Sequence, residues 1–297
     1  MCTAVGVNFD GFYFGRTLDI ELSYGERVVV LPRRFVLEFK KAPKLTFHNA
    51  IIGMAVVNNG FPLLFDAANE KGLCGAALRF KDNAVYFKEN SDKTNIAPFE
   101  VILWVLSLAS SVNEAKNLIK QMNIVDTPFN EEFPNTPLHW FFADKNESIV
   151  VEQTKEGLFM YDNPFSVLTN NPPFPLMLKE TENYKGITDK KGLPGDYSSI
   201  SRFIRANFVK QNSYKANNKQ ESLSQFFHIL DSVLVPKGCV ILPSGELHHT
   251  VYTCAIDTEN SIYYLKGYND LEVKKVALSG FDLDGNVLFK KKIDKVF

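Results

Sequence analysis

Cysteine is scarce: four residues in 297, Cys2, Cys74, Cys239 and Cys254. None pairs with another at C-x-x-C spacing, which excludes a paired-thiolate metal site, and a chain of this length needs no disulfide framework. Cys74 and Cys254 lie in apolar runs and read as buried structural thiols, whereas Cys239 follows Lys237-Gly238 and is expected at the surface. Long apolar runs are missing too. No stretch approaches ~18 uninterrupted apolar residues, and the N-terminus has no basic region followed by an apolar run. The chain is therefore expected to be cytoplasmic and to carry no segment ahead of Cys2 except Met1. Neither sign of charge dominates, with 33 Lys+Arg against 34 Asp+Glu and a formal charge of -1. Nucleic acid and membranes are not expected partners. Internal repeats, low-complexity tracts and linkers are also lacking, so residues 1–297 read as a single domain.

Histidine is sparse, at five residues. His139, beside Trp140, and His228, between Phe227 and Ile229, read as satisfied core histidines. His248-His249 are expected in a polar loop, and nothing near them completes a metal site. No metal and no organic cofactor are predicted.

Apolar residues are plentiful, at 45%, with 25 Phe and 11 Tyr, enough for a sizeable core. Val5-Gly6-Val7 and Phe12-Tyr13-Phe14, joined at Asp10-Gly11, read as a β-hairpin. Short strands follow at Arg27 to Pro32, Ala50 to Val57, Phe61 to Phe65 and Leu73 to Phe80. The period becomes helical over 97–121, where Ser111 and Glu114 form a capping-box pattern. Thr136 to Ala143, Ser148 to Gln153, Leu158 to Tyr161 and Phe165 to Leu168 read as an antiparallel meander. Helices follow near Leu176, at Ser199 to Lys210 and at Ser222 to Leu234, then four more strands. The order strands, two helices, strands, helices, strands predicts a layered α+β domain with two packed antiparallel sheets between helices.

The chemistry concentrates at the N-terminus. Cys2 has a small side chain, so Met1 is expected to be removed, leaving a residue with both a thiol and a free α-amino group. The thiolate is the nucleophile, and an α-amine, which ordinarily titrates at about 7.7–8.0, can act as its base. The hairpin returns Arg16 and Asp19 to the Cys2 end. A guanidinium beside a thiol favours the thiolate, and a carboxylate beside an ammonium orients it.

The segment MCTAVGVNFDGFYFGRTLDIELSY resembles the N-terminus of the choloylglycine hydrolase family of N-terminal nucleophile hydrolases. That family contains conjugated bile acid (bile salt) hydrolases and penicillin V acylases. Further resemblance runs through NEKGLCGAAL (69–78), PNTPLHWFFAD (134–144), SIVVEQTKEGLFMYDNP (148–164), VLTNNPPF (167–174), GLPGDYSSISRFIRANF (192–208) and SQFFHIL (224–230). It implies a four-layer αββα fold, a Cys2 nucleophile, and Arg16, Asp19, Asn170 and Arg202 around it. By pattern alone Asn170 makes a turn before Pro172 and Arg202 is an exposed helical arginine. By family position Asn170 is a site residue whose amide donates to the oxyanion, and Arg202 pairs with Asp19 or Cys2. Arg205, one turn on, is expected to be less sensitive.

Two departures bear on the substrate. Many bile salt hydrolases have Asn, and penicillin V acylases often Tyr, where this chain has Arg79. Arg79 is expected either to bind the oxyanion or the carboxylate or sulfonate of a conjugate, or to point away. The connection over 185–191 is shorter than the loop that joins subunits in known tetramers of the family, so tetramer assembly is not assumed. The favoured substrate is a glycine- or taurine-conjugated bile acid, with an apolar acyl pocket expected at Tyr24, Phe61, Phe65 and Phe129. The alternatives are penicillin V or another N-acyl amide, and a non-catalytic binder of bile acids or lipids.

Overall fold

The computed structural model describes residues 1–188, 192–270 and 272–291. Its first strands are β1 (Cys2–Phe9), β2 (Gly11–Ile20), β3 (Arg27–Leu31), β4 (Ile51–Asn58), β5 (Phe61–Asn69), β6 (Cys74–Arg79) and β7 (Thr94–Ile96). Helices α1 (Val101–Leu108) and α2 (Val112–Lys120) follow, then β8 (Met122–Ile124), β9 (Leu138–Ala143), β10 (Ser148–Thr154), β11 (Gly157–Asp162) and β12 (Val167–Leu168). Helices α3 (Phe174–Glu180), α4 (Ser199–Asn212) and α5 (Lys219–Asp231) precede β13 (Val240–Ile241), β14 (Leu247–Asp257), β15 (Ile262–Gly267), β16 (Lys274–Ala277) and β17 (Phe289–Lys291).

Two antiparallel sheets carry the molecule. One runs β12-β1-β2-β14-β15-β16 with β13 on β14, and the other β11-β10-β9-β6-β5-β4-β3-β17. Alternation along the strands of the second sheet shows its two faces. Val28 and Val30 enter the core between the sheets, while Val29 and Leu31 enter the core beneath α1 and α2. Phe141 and Trp140 of β9 divide the same way. In the first sheet Phe14 meets Phe141 across the sandwich, with centroids 5.4 Å apart, and Tyr13 meets Phe226 of α5 at 6.1 Å. The layers are thus α1/α2, sheet, sheet, α4/α5, the αββα arrangement expected. Among the described residues no helix is long and apolar enough to cross a membrane.

Local signals hold in detail. Gly11 takes φ +96 at the hairpin turn, and Ser111 caps α2 by accepting from the Glu114 N–H. The meander differs from expectation. β9, β10 and β11 form it, but β12 crosses to the other sheet and pairs with β1, Ala4 opposite Leu168. Asn163, whose amide donates to Val167 O while its Oδ1 accepts from Phe165 N, turns the chain between sheets. Residues 189–191 of the short connection lie outside the described residues.

Lys210 of α4 is half-buried against β1, its ammonium donating to Gly6 O at 3.1 Å and to Phe165 O. Burial pulls its pKa down from 10.5 to about 8. Below pH 8 the lysine is charged in both folded and unfolded chains, and folding carries the desolvation penalty. Between pH 8 and 10.5 the folded chain releases this proton while the unfolded chain keeps it, so its contribution to stability rises with pH. Lys210→Met is expected to flatten that rise by about 2 kcal/mol after allowance for solvent access. Urea unfolding of both proteins at pH 7.5 and 10 checks it; equal pH slopes would refute it.

Candidate active site

The hairpin register places the site. Cys2 pairs with Leu18 and Ala4 with Arg16, so Met1 lies opposite Asp19. Met1 in fact extends β1 by one residue: Asp19 N–H donates to Met1 O at 3.1 Å, and the Met1 amine donates to Asp19 O at 2.8 Å. Cys2 is 4% exposed, close enough to solvent to meet a ligand, whereas Arg16, Asp19 and Arg202 are fully enclosed.

Arg16 projects from β2 into the core between the sheets. Its Nη1 donates to Phe65 O at 3.0 Å and Ala77 O at 2.6 Å, tying β2 to β5 and β6, and its Nε donates to Thr17 O at 3.3 Å. Burial opposes its charge, but the Cys2 thiol, Tyr252 and Asp66 outweigh burial, and its pKa lies above the usual value. The cation is therefore permanent, with Cys2 first among the groups that hold it charged.

Asp19 is held by hydroxyls. Its Oδ1 accepts from Thr250 Oγ1 at 2.7 Å and its Oδ2 from Thr17 Oγ1 at 3.2 Å. Arg202 Nη1 stands 3.9 Å from Oδ2. Arg202 lies in the first turn of α4, whose N-cap Ser198 accepts from Ser201 N–H. From there its fork spans the nucleophile residue: Nη1 donates to Cys2 O at 2.5 Å and Thr3 Oγ1 at 2.7 Å, Nη2 to Asn170 Oδ1 at 2.9 Å, and Nε to Tyr197 O at 3.1 Å. Burial lowers its pKa, with Asp19 and Cys2 acting in opposition.

Asn170 follows β12, the strand that crosses between sheets. Its Oδ1 accepts from Cys2 N–H at 2.8 Å as well as from Arg202, and its Nδ2 donates to Arg79 O at 2.8 Å. One acceptor thus holds the nitrogen that becomes the α-amine when Met1 is removed. One N–H of Nδ2 remains for another acceptor.

The expected binding residues divide. Arg79, exposed at the end of β6, makes no hydrogen bond or ion pair through its guanidinium among the described residues. Its charge nevertheless acts on the Met1 amine and on Tyr24, so it stands at the rim of the same site. Tyr24 is 47% exposed there, its pKa raised by partial burial and then by Glu21. Phe65 contributes its carbonyl to Arg16 and packs against the inter-sheet core. Phe61 and Phe129 meet each other at 5.7 Å, in an aromatic group with Phe99 and Phe133. Phe61 packs against the core beneath α1 and α2, the opposite face of that sheet from Phe65.

His139 is buried and satisfied, as expected, between Glu152 Oε1 at 3.1 Å and Thr169 O at 3.0 Å, but His228, His248 and His249 differ from expectation. His228 is exposed instead of being core, because α5 turns Phe226, Phe227, Ile229 and Leu230 inward. His248 and His249 lie on β14, not in a loop, and both are buried. His248 Nε2 lies 2.6 Å from the Met1 amine, and its Nδ1 lies 3.7 Å from Glu21 Oε2. Burial lowers the pKa of both the His248 ring and the Met1 amine. The missed signal was strand continuity: the pairing of β14 with β2 runs back through Thr250 opposite Asp19 and His249 opposite Ile20. Arg205, one turn on from Arg202, is buried. It donates to Ser232 O at 2.6 Å, Pro194 O at 2.7 Å and Asp196 O at 3.1 Å. Arg205→Ala is expected to destabilise the chain by about 1–3 kcal/mol while sparing Cys2 alkylation. Thermal unfolding and thiol labelling of the one variant test both halves, and loss of labelling in a folded sample would contradict the second.

Cys74 and Cys254 are buried, with thiol pKa values pushed well up by burial, and Cys239 is exposed. Among the described residues no group of three or more His, Cys, Asp or Glu is placed to hold a metal ion.

Residues 2–290 match the model of a family described as linear amide C–N hydrolases, choloylglycine hydrolase family. The chain is 43% identical over 305 residues to a bile salt hydrolase/transferase of Lactiplantibacillus plantarum, covering 96% of this chain and 94% of the relative. It is 36% identical over 321 residues to a bile salt hydrolase/transferase of Clostridium perfringens, covering 99% and 98%. A solved structure of a mutant conjugated bile acid hydrolase from Clostridium perfringens superimposes with a TM-score of 0.92 at 34% identity, over 99% of this chain and 97% of that one. Penicillin V acylase from Agrobacterium tumefaciens shares the fold, with a TM-score of 0.85 at 21% identity over 99% and 92% of the two chains.

Proposed function

The chain belongs to the choloylglycine hydrolase family of linear amide C–N hydrolases, and on that premise we propose that it cleaves the amide of glycine- or taurine-conjugated bile acids through Cys2. Removal of Met1 frees the Cys2 amine. The amine takes the thiol proton, and the thiolate attacks the acyl carbon to give a tetrahedral oxyanion. Collapse breaks the C–N bond, the amine half leaves with a proton from the Cys2 ammonium, and a thioester remains. Water, deprotonated by the same amine, releases the bile acid and restores the thiol.

The observation that carries this reading is the hold on Cys2 itself. Its nitrogen is fixed by Asn170 Oδ1, its carbonyl by Arg202, and the Arg16 cation acts on its sulfur. Nucleophile and base are thus preorganised in one residue. Asn170 holds the future amine through its oxygen and offers its remaining N–H to the oxyanion. Asp19 balances Arg202 and the ammonium. At the rim, the free guanidinium of Arg79 suits the carboxylate or sulfonate of the conjugate. We place the reaction in the cytoplasm, where an unpaired thiol stays reduced.

Release of glycine, taurine and free bile acid from the two conjugates of cholic acid, compared with release of the side-chain acid from penicillin V, tests the assignment. Faster turnover of the conjugates is expected. Faster cleavage of penicillin V would move the substrate and keep the mechanism. Binding of all substrates without turnover would sink the enzyme reading.

A further inference from the structure

The segment that carries Asn170, residues 169–174, is gripped at both ends by one buried carboxylate. Glu152 of β10 accepts from Phe174 N–H through Oε1 at 3.0 Å and Oε2 at 3.1 Å. Its Oε1 also lies 3.1 Å from His139 Nδ1, and His139 Nε2 lies 3.0 Å from Thr169 O. Both side chains are fully buried, on the face of their sheet that carries Phe141 and Val150 into the core between the sheets. The Phe80 ring stacks on the imidazole, with centroids 4.5 Å apart. Phe80 follows Arg79, whose carbonyl accepts from Asn170 Nδ2.

The acceptors fix the protons on this chain. A carbonyl only accepts, so His139 Nε2 carries a hydrogen. One further proton lies between Nδ1 and Glu152 Oε1, since neither a bare ring nitrogen nor a bare carboxylate oxygen can donate. On its other side the segment meets α4. Asn170 N–H donates to Ser199 Oγ at 2.8 Å, Ser199 Oγ to Thr169 Oγ1 at 2.9 Å, and Thr169 Oγ1 to Ser199 O at 3.0 Å. Asn170 is thus fixed through its own N–H, through the carbonyl before it, and by the Phe174 anchor after it.

We propose that Glu152, acting through His139, and Ser199 are positioning residues that keep Asn170 Oδ1 on the Cys2 nitrogen and its spare N–H on the oxyanion. This rests on the amide-hydrolase reading above. Displacing a catalytic group by about 1 Å costs about 100-fold, and losing one oxyanion donor about 10^2- to 10^3-fold in kcat. Glu152→Leu frees the Phe174 end and strips His139 of its partner, so it is expected to lower kcat about 100-fold. KM should stay within about threefold, because the oxyanion exists only in the transition state. Glu152→Gln keeps both links: its amide donates to Nδ1 of a neutral imidazole, and its oxygen accepts from Phe174 N–H. It is expected to recover most of the kcat lost in Glu152→Leu. Ser199→Ala removes one acceptor at a half-buried site and should lower kcat about tenfold.

A double-mutant cycle tests this. Each change is made alone and together with Asn170→Ala, and kcat and KM on glycine-conjugated cholic acid and the rate of Cys2 alkylation are measured on folded, processed protein. A kcat loss that vanishes when Asn170 is already alanine, with recovery by Glu152→Gln, supports the proposal. Equal losses with and without Asn170, or a loss in Glu152→Gln as deep as in Glu152→Leu, overturn it; the wild type still turns over, so the hydrolase reading stands. If Glu152→Leu does not fold, Ser199→Ala and Glu152→Gln decide by the same criteria, a 100-fold fall in folded Glu152→Gln overturning the proposal. If the wild type cleaves no conjugate, the hydrolase reading falls and alkylation decides. Slowing of about tenfold in Glu152→Leu and Ser199→Ala, absent when Asn170 is alanine, supports the positioning role, and unchanged rates overturn it.

Discussion

Cys2→Ala is expected to lower kcat/KM on conjugated bile acids by about 10^4-fold or more, the scale seen when a covalent nucleophile is deleted. The fold should survive. The change removes one sulfur from a side chain at the end of a strand whose pairing with Leu18 is made by backbone. The stability loss expected for so small a truncation is about 1 kcal/mol. Progress curves and thermal unfolding on the same sample separate the two effects. A folded variant with turnover above background would remove Cys2 from the chemistry; Cys74 and Cys254 are buried thiols with raised pKa values, and Cys239 is exposed.

Arg16→Met is expected to have the next largest effect, in two ways that can be told apart. The substitution leaves the carbonyls of Phe65 and Ala77 without their donor, each at about 1–3 kcal/mol. It also deletes the enclosed cation that acts on Cys2. An opposite charge at close range alters the balance between charged and neutral forms by about 10- to 10^3-fold, and alkylation of Cys2 at neutral pH should slow by that factor. Arg16→Lys keeps the charge but cannot span both carbonyls. It should therefore lose stability as Arg16→Met does, yet retain much more of the alkylation rate. Equal alkylation rates in the two variants would mean that Arg16 acts as a strut alone.

The layered fold was legible because its signals are local. Alternating apolar residues, Gly11 at the turn and Ser111 before Glu114 each specify structure within a few residues. The destination of β12 was not, because Val167-Leu168 is too short to say which sheet it joins, and the turn at Asn163 sends it to β1. That crossing is what brings Asn170 to Cys2, so its place beside the nucleophile came from family resemblance. Arg202 shows the same limit. Its helical pattern reads as exposed, and only the packing of α4 on the end of β1 encloses it against Cys2 O and Thr3. His248 was misread because polar residues at a strand end resemble a loop, while the ladder with β2 continues through them. Phe61 and Phe65 lie four apart on β5, yet Phe61 packs against the core beneath α1 and α2 and Phe65 against the core between the sheets.

The central claim is that Cys2, with its own amine freed, is the nucleophile. Intact-mass spectrometry of the purified protein, before and after quenching with a conjugated bile acid in turnover, tests it most directly. The account predicts a mass lacking Met1 and a single acyl addition that peptide mapping places on Cys2. An active protein that retains Met1, or an acyl group mapped to any other residue, would contradict it.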